Sequence, residues 1–321
     1  MHIVLDTDPG VDDALAILYL TAQTDANIVA VGSVHGNVTA DLAAHNALRV
    51  LELVGLDHVP VAVGAARPLA QPLHTAEFVH GSDGLGGQAG PPPRGRPVGH
   101  SAAEQLVRLA RESPGELTLL ALGPLTNIAI ALLLEPRLPD LLRSVVVMGG
   151  ALTVPGNITP YADANFWHDP EAADLVFNGG FPDLTVVGLD VTEITYADAG
   201  WLDAVAALPN PRAKFAAALL DHYAGFYSTM FGRRGCTLHD PLAAAIALDP
   251  ELATYRHIPL GVELHGTHTR GQIIADLRDI SDDNHIENHF TDGRAAVKVA
   301  VTTDAPTFLR RMFLALEDAP E

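Results

Sequence analysis

Four carboxylates fall within eight residues near the start of the chain, in Asp6-Thr7-Asp8-Pro9-Gly10-Val11-Asp12-Asp13-Ala14. Ile3-Val4-Leu5 before them reads as a strand and Pro9-Gly10 as a tight turn. Apolar residues at 14, 15, 17, 18 and 20 then predict a helix packed on a sheet. Four anions at the end of one strand repel one another, and a helix N-terminus offsets that only in part. A bound cation is the simplest remedy. Oxygen-only donors select a hard ion, Ca²⁺ or Mg²⁺, over zinc. Helix capping accounts for Asp12 or Asp13 but leaves Asp6 and Asp8, on the strand side of the turn, unexplained.

Two later segments add polar groups. Gly156-Asn157-Ile158-Thr159-Pro160-Tyr161-Ala162-Asp163-Ala164-Asn165 places two amides and a carboxylate in a loop ahead of Asp169-Pro170. Asp169 reads as a helix N-cap with Pro170 at the first helical position. Asn157, Asp163 and Asn165 have no such role and suit hydrogen bonding to a polyol. Leu238-His239-Asp240-Pro241 precedes a helix over Leu242 to Leu248. Asp240 is there either an N-cap or a further acidic ligand, and His239 either a surface histidine or a proton carrier.

The elements that must position these groups alternate along the chain. Strand-like runs are expected at 28–34, 59–63, 116–122, 144–148 and 184–190, and later at 261–265, 271–277 and 296–301. Helices are expected at about 40–53, 197–207 and 211–230, and a capping box at Ser101 to Glu104 opens another. The Gly- and Pro-rich stretch from Gly81 to Gly99 reads as a mobile loop. Near-continuous apolar strands separated by helices imply an α/β fold with a mostly parallel central sheet covered on both faces. No linker divides residues 1–321, so a single Rossmann-like domain is expected. Ligands in such folds bind beyond the carboxyl ends of the strands. Here the turns at 6–13, 35–37, 123–127 and 149–157 are all polar or glycine-rich, which favours one shared pocket.

Composition excludes several classes of function. Net charge is -20, from 19 basic and 39 acidic residues, which argues against nucleic-acid or anionic-membrane partners. The single cysteine, Cys236, rules out an internal disulfide framework and a thiolate metal cluster. The first strand leaves no room for a signal peptide and no run is long enough to span a bilayer, so a cytoplasmic protein is expected.

Taken together, the aspartate segment, Gly36-Asn37, His80-Gly81-Ser82-Asp83-Gly84-Leu85-Gly86, Leu122-Gly123-Pro124-Leu125-Thr126-Asn127, Met148-Gly149-Gly150, Gly156-Asn157-Ile158-Thr159-Pro160 and His239-Asp240-Pro241 resemble the nucleoside hydrolases of the inosine-uridine preferring type. The resemblance implies a Ca²⁺ held by Asp8, Asp13, Asp240 and the carbonyl of Leu122. It also implies ribose contacts from Asp12, Asn37, Asn157, Asp163 and Asn165, with Met148 lining the sugar site and His80 and Tyr227 beside the substrate. Asp163 stands where the family usually has Glu, and Ala164 where many members have Phe. The implied activity is hydrolysis of the N-glycosidic bond of a ribonucleoside, with Asp8 as general base and a protonated His239 assisting the leaving base. A homodimer or homotetramer is implied as well. The alternatives are a Mg²⁺-dependent phosphatase with an aspartate nucleophile in Asp6-Thr7-Asp8, and a nucleoside-binding protein without catalysis. No Trp is placed to stack on a purine, which points to a broad or pyrimidine-leaning enzyme.

Overall fold

The computed structural model describes residues 1–278 and 293–317. Its centre is an eight-stranded sheet. Strands β1 (His2–Thr7), β2 (Asn27–Ser33), β3 (Val61–Ala62), β4 (Leu117–Ala121), β5 (Ser144–Met148) and β6 (Leu184–Val187) run parallel in the order β3-β2-β1-β4-β5-β6. Small antiparallel pairs follow: β7 (Tyr196–Asp198) with β8 (Gly235–Thr237), and β10 (Gly261–Val262) with β11 (Ile273–Ile274). Between these pairs in the chain comes β9 (Ala253–Pro259), the edge strand of the main sheet. It lies antiparallel to β12 (Ala296–Thr303), which itself pairs parallel to β6.

The helices are α1 (Val11–Thr21), α2 (Ala40–Leu53), α3 (Glu77–His80), α4 (Ala102–Glu112), α5 (Thr126–Leu134), α6 (Leu138–Leu141) and α7 (Ala164–His168). They continue as α8 (Pro170–Phe177), α9 (Leu189–Thr192), α10 (Ala199–Ala206), α11 (Pro211–Phe231), α12 (His239–Leu248) and α13 (Ala305–Glu317). Side chains alternate across a strand, so β1 sends Ile3 and Leu5 into the core shared with α1, α11 and α12. Val4 enters the opposite core, with α4, α5 and α8. Burial on both faces is why these strands read as unbroken apolar runs.

The strand order reverses between β1 and β4, and ligands of open α/β sheets bind at such a reversal. Asp8 follows β1 there and Leu122 follows β4. The expected caps are present. Ser101 and Glu104 form a reciprocal capping box on α4, and Asp169 accepts the Ala172 N–H at 3.1 Å with Pro170 opening α8.

Several boundaries differ from the sequence expectation. The strand from Leu184 ends at Val187 rather than Asp190, because Gly188 turns the chain into α9. The strand expected at 59–63 shortens to Val61–Ala62, and those expected at 261–265 and 271–277 shrink to the two-residue partners β10 and β11. Strand β9 went unpredicted; its pattern is interrupted by polar residues because it forms the edge of the sheet. The Gly81 to Gly99 segment holds no helix or strand, yet its backbone is tied down. Asp83 accepts the N–H groups of Leu85, Gly87 and Ala89 at 2.9–3.0 Å, and Val98 bonds Val61 at 2.8 Å.

Leu5 is fully buried at the centre of this sheet. Leu5→Ala is expected to lower unfolding free energy by about 2–5 kcal/mol, read from the midpoint of a urea titration.

Candidate active site

A cavity of about 510 Å³ opens at the carboxyl ends of the strands. Its lining draws on nearly every loop that sequence analysis singled out: Asp12, Asn37, His80, Leu122, Met148, Asn157, Asp163, Asn165, Tyr227, His239 and Asp240. Asp12, Asn37, Leu122 and Met148 reach it from the carboxyl ends of β1, β2, β4 and β5, whereas His239 and Asp240 follow the antiparallel strand β8 and Tyr227 lies within α11.

The floor is acidic. Asp12, Asp13 and Asp240 each present an oxygen within 4.8 Å of the others, and all three are buried. Asp8 adjoins them rather than completing that trio. Its Oδ2 accepts the Asn37 N–H at 2.6 Å, while its buried Oδ1 has no partner in the protein. Glycine is required on both sides of it: a Cβ at Gly36 would lie 2.0 Å from Oδ2, and one at Gly123 would lie 2.5 Å from Oδ1. Asp13 is held by the Thr7 hydroxyl, by the Gly10 N–H at 2.9 Å and by the Asn37 amide at 3.0 Å. It thus both caps α1 and faces the acidic group.

Burial raises the proton affinity of the whole set. Asp12 is pushed up to about 8 by burial and then by the charge of Asp13. Burial and the neighbouring carboxylates place Asp8 and Asp240 well above the usual range, and burial raises Asp13 too. An all-oxygen donor set of this density, with one orphaned carboxylate oxygen, fits a hard divalent cation. The Leu122 carbonyl accepts the Asn165 amide at 2.6 Å and, having two lone pairs, retains one for a ligand.

Asp6 departs from the expected cluster. Alternation along β1 turns it to the opposite face of the sheet, where Asn127 donates to it at 2.9 Å. The acidic floor therefore comes from Asp8, Asp12, Asp13 and Asp240, and not from Asp6.

The sugar-loop residues also carry structural bonds that their sequence did not disclose. Asp163 caps α7 by accepting the N–H groups of Asn165 and Phe166, and Asn157 accepts that of Ala164 at 2.9 Å. Asn165 bridges the carbonyls of Leu122 and Met148, so it ties β4 to β5. Asp240 is not an N-cap, because the helix begins at His239 and places Asp240 in its first turn.

Burial disfavours the charged form of both site histidines. His80 accepts the Val11 N–H at Nδ1, so its ring proton sits on Nε2, and burial lowers it to about 3. His239 lies between the Thr192 hydroxyl at 2.7 Å and the Tyr227 hydroxyl at 3.0 Å. The family resemblance implies a protonated His239. Burial instead brings it down to about 4.

Comparison with known proteins decides the lineage. The model of the inosine-uridine preferring nucleoside hydrolase family matches residues 3–310. The chain belongs to this family. It is 39% identical to a probable uridine nucleosidase of Arabidopsis thaliana over 312 residues, covering 96% of this chain and 95% of the relative. It is 41% identical to a pyrimidine-specific ribonucleoside hydrolase of Shewanella woodyi, covering 85% of this chain and 88% of the relative. Among solved structures, a plant nucleoside hydrolase superposes with a TM-score of 0.94 at 33% identity, covering 99% of both chains. A purine-preferring ribonucleoside hydrolase of Gardnerella vaginalis superposes at 0.89, also with 33% identity, covering 99% of this chain and 98% of that one. The chain is a nucleoside hydrolase, which cleaves the N-glycosidic bond of ribonucleosides.

The mouth of this hydrolase's cavity was largely missed by sequence reasoning. Tyr223, Phe226, Tyr227, Met230 and Phe231 line it from α11, and Phe78 from α3. Their i, i+3, i+4, i+7, i+8 spacing was legible as one helix face, but such a stripe ordinarily marks core. Here Phe78 stays 66% exposed, and Met230 and Phe231 each 62%. Tyr223 stacks on His80 at 5.6 Å and lies close enough to Asp12 to favour its charged form, linking mouth to floor. Trp167 lies outside the cavity, packed on His74.

The raised carboxylates set the sign of a pH dependence. A group whose pKa is raised on folding stabilises the fold below its unfolded value, and that contribution is lost as pH rises through the folded value. Asp6, at about 7, and Asp12, at about 8, place this loss near neutrality. The buried histidines oppose it only below about pH 6.5. The Tm of chelator-treated protein, followed by calorimetry, is therefore expected to fall from about pH 6.5 to 8.5, and added Ca²⁺ to flatten the slope. A flat profile without cation would contradict this.

Proposed function

We propose that this chain is a Ca²⁺-dependent ribonucleoside hydrolase releasing free base and ribose, with Asp8 as the base that activates water. The observation that carries the reading is the buried Oδ1 of Asp8. It has no protein partner and lies beside three more buried carboxylates. Asp8, Asp13, Asp240 and the Leu122 carbonyl would hold the ion, with Asp12 close enough to share it. A bound Ca²⁺ would acidify a water and anchor ribose hydroxyls. The remaining chemistry belongs to the side chains.

Asp8 must be ionised to accept a proton, and positive charge placed among the four carboxylates lowers its pKa toward that state. Asn37 fixes its other oxygen, so the carboxylate cannot swing away. Asp12, Asn157, Asp163 and Asn165 would engage the sugar, and the surrounding negative charge favours an oxocarbenium-like transition state. Asp163 serves this role only with whatever lone pairs its capping bonds leave. On the leaving side, His239 is a neutral imidazole whose two nitrogens pair with the Thr192 and Tyr227 hydroxyls, so it would act through Tyr227 on a base that leaves as a hydrogen-bonded anion and takes its proton from solvent instead of from imidazolium.

The acidic surroundings, and a sequence without a phosphate-cradling glycine motif, support nucleosides over nucleotides. The aromatic α11 face and the cavity size support a broad base range that includes uridine, in line with the uridine nucleosidase and pyrimidine-specific relatives. A phosphatase with an aspartate nucleophile fits less well, since Asp6 faces the other side of the sheet. A nucleoside-binding protein without catalysis fits less well with relatives named as a uridine nucleosidase and a ribonucleoside hydrolase.

Free ribose released from purine and pyrimidine ribonucleosides and their 5′-monophosphates, with and without Ca²⁺, tests the assignment. Equal kcat/KM on a nucleoside and its monophosphate, or full activity after metal removal, would overturn it. Asp8→Asn, with calcium still bound, is expected to lower kcat by about 10²–10⁴-fold. His239→Ala is expected to slow natural nucleosides far more than p-nitrophenyl riboside, whose leaving group departs unaided. Equal slowing of both would make His239 a positioning residue only.

A further inference from the structure

Helix α7 carries Asn165 yet is only five residues long, and helices that short do not hold themselves. Its carbonyls at Trp167 and His168 have no helical continuation to bond. The Gln71 amide, almost a hundred residues away in sequence, donates to both, at 2.7 and 3.0 Å. A glutamine amide can turn over, and only one orientation offers N–H groups to those carbonyls. Arg270 selects it. Its Nε donates to Gln71 Oε1 at 3.0 Å, and a guanidinium has no lone pair with which to accept the reverse arrangement.

Arg270 is itself fixed. One guanidinium nitrogen bonds both Glu171 oxygens at 2.8 and 2.7 Å, and another bonds the Leu264 carbonyl. The next residue, Gly271, has φ +85°, and a Cβ there would approach the Trp167 backbone to 2.9 Å. Ile273 fills the space beside Gly150. Arg270 and Gly271 therefore back α7 from outside the cavity, while Asn165 reaches the Leu122 and Met148 carbonyls on the inner side.

We propose that Arg270 is a positioning residue: acting through Gln71, it sets the seat of α7 and so holds the Asn165 amide in place for the sugar. The inference rests on Asn165 serving the substrate, as proposed above. Neither Arg270 nor Gln71 lines the cavity, so their effect on substrate is wholly indirect.

Steady-state kinetics on uridine with the calcium-loaded full chain test this, with Tm measured for each variant. Asn165→Ala reports on the residue being positioned. Arg270→Met and Gln71→Leu are each expected to lower kcat/KM roughly 10- to 100-fold, mainly through KM, as a misplaced contact does. The double variant should be no worse than either single one, because the two act in series. Arg270→Lys should not rescue, since a lone ammonium cannot bridge Gln71 and Glu171 as the fork does. Gln71→Glu keeps a partner for Arg270, so the junction stays joined, but sets a carboxylate oxygen against two carbonyls; it should raise KM without lowering Tm to match. Wild-type KM in Gln71→Glu and Arg270→Met, with Asn165→Ala impaired, would overturn the clamp alone. Additive losses in the double variant would do the same. A wild-type KM in Asn165→Ala would overturn the sugar-site reading, and the clamp with it.

Discussion

Mutual repulsion among buried carboxylates is the constraint on which the rest of the molecule depends. Asp8, Asp12, Asp13 and Asp240 are each nearly inaccessible to solvent, and burial raises every one of them above its ordinary proton affinity. Buried charges of one sign persist only where they are neutralised, by protons or by a cation. The fold leaves no side-chain cation on this floor: among the described residues, the sole Arg or Lys lining the cavity is Arg233, exposed at the mouth over Tyr196. The energetic cost of the cluster and its capacity to hold a hard ion are thus the same property.

Much of the surrounding backbone serves that floor. Glycine at 36 and 123 lets two loops close on Asp8, where any side chain would collide with its carboxylate. The Asn37 amide and backbone N–H bond Asp13 and Asp8 in turn, so one residue of the loop after β2 orients two acidic groups, one just past β1 and one in α1. Strand order then matters. Only where the sheet reverses between β1 and β4 can the Asp8 turn and the Leu122 carbonyl face one crevice.

The cavity divides its labour by polarity. Its floor gathers negative charge, while α3 and α11 supply an aromatic mouth suited to a flat heterocycle. Between them stand His80 and His239, which burial keeps neutral, so each offers directional hydrogen bonds instead of charge. Helix α7 is the least self-sufficient part of this frame. Its position is set by Phe166 in the core, by the Asp163 cap and by polar contacts reaching it from loops remote in sequence.

The sequence by itself determined the alternating layers, the caps at Ser101 and Asp169, and the acidic turn after β1, because these follow from local periodicity and short-range bonding. Motif spacing also announced the family. Even the outward turn of Asp6 was implicit in strand alternation, since Asp6 shares the parity of Val4. What only the tertiary structure decided lies in contacts between distant segments. The sequence does not disclose that Asp12 joins Asp13 and Asp240 at the tightest acidic point, or that the α11 stripe faces a cavity instead of core. Burial from all sides, which strips His239 of its proton, and the Arg270–Gln71 link to α7 are equally invisible in one dimension. Desolvation and hydrogen-bond geometry depend on everything packed around a group, and that neighbourhood is assembled only when the sheet closes over residues that are far apart along the chain.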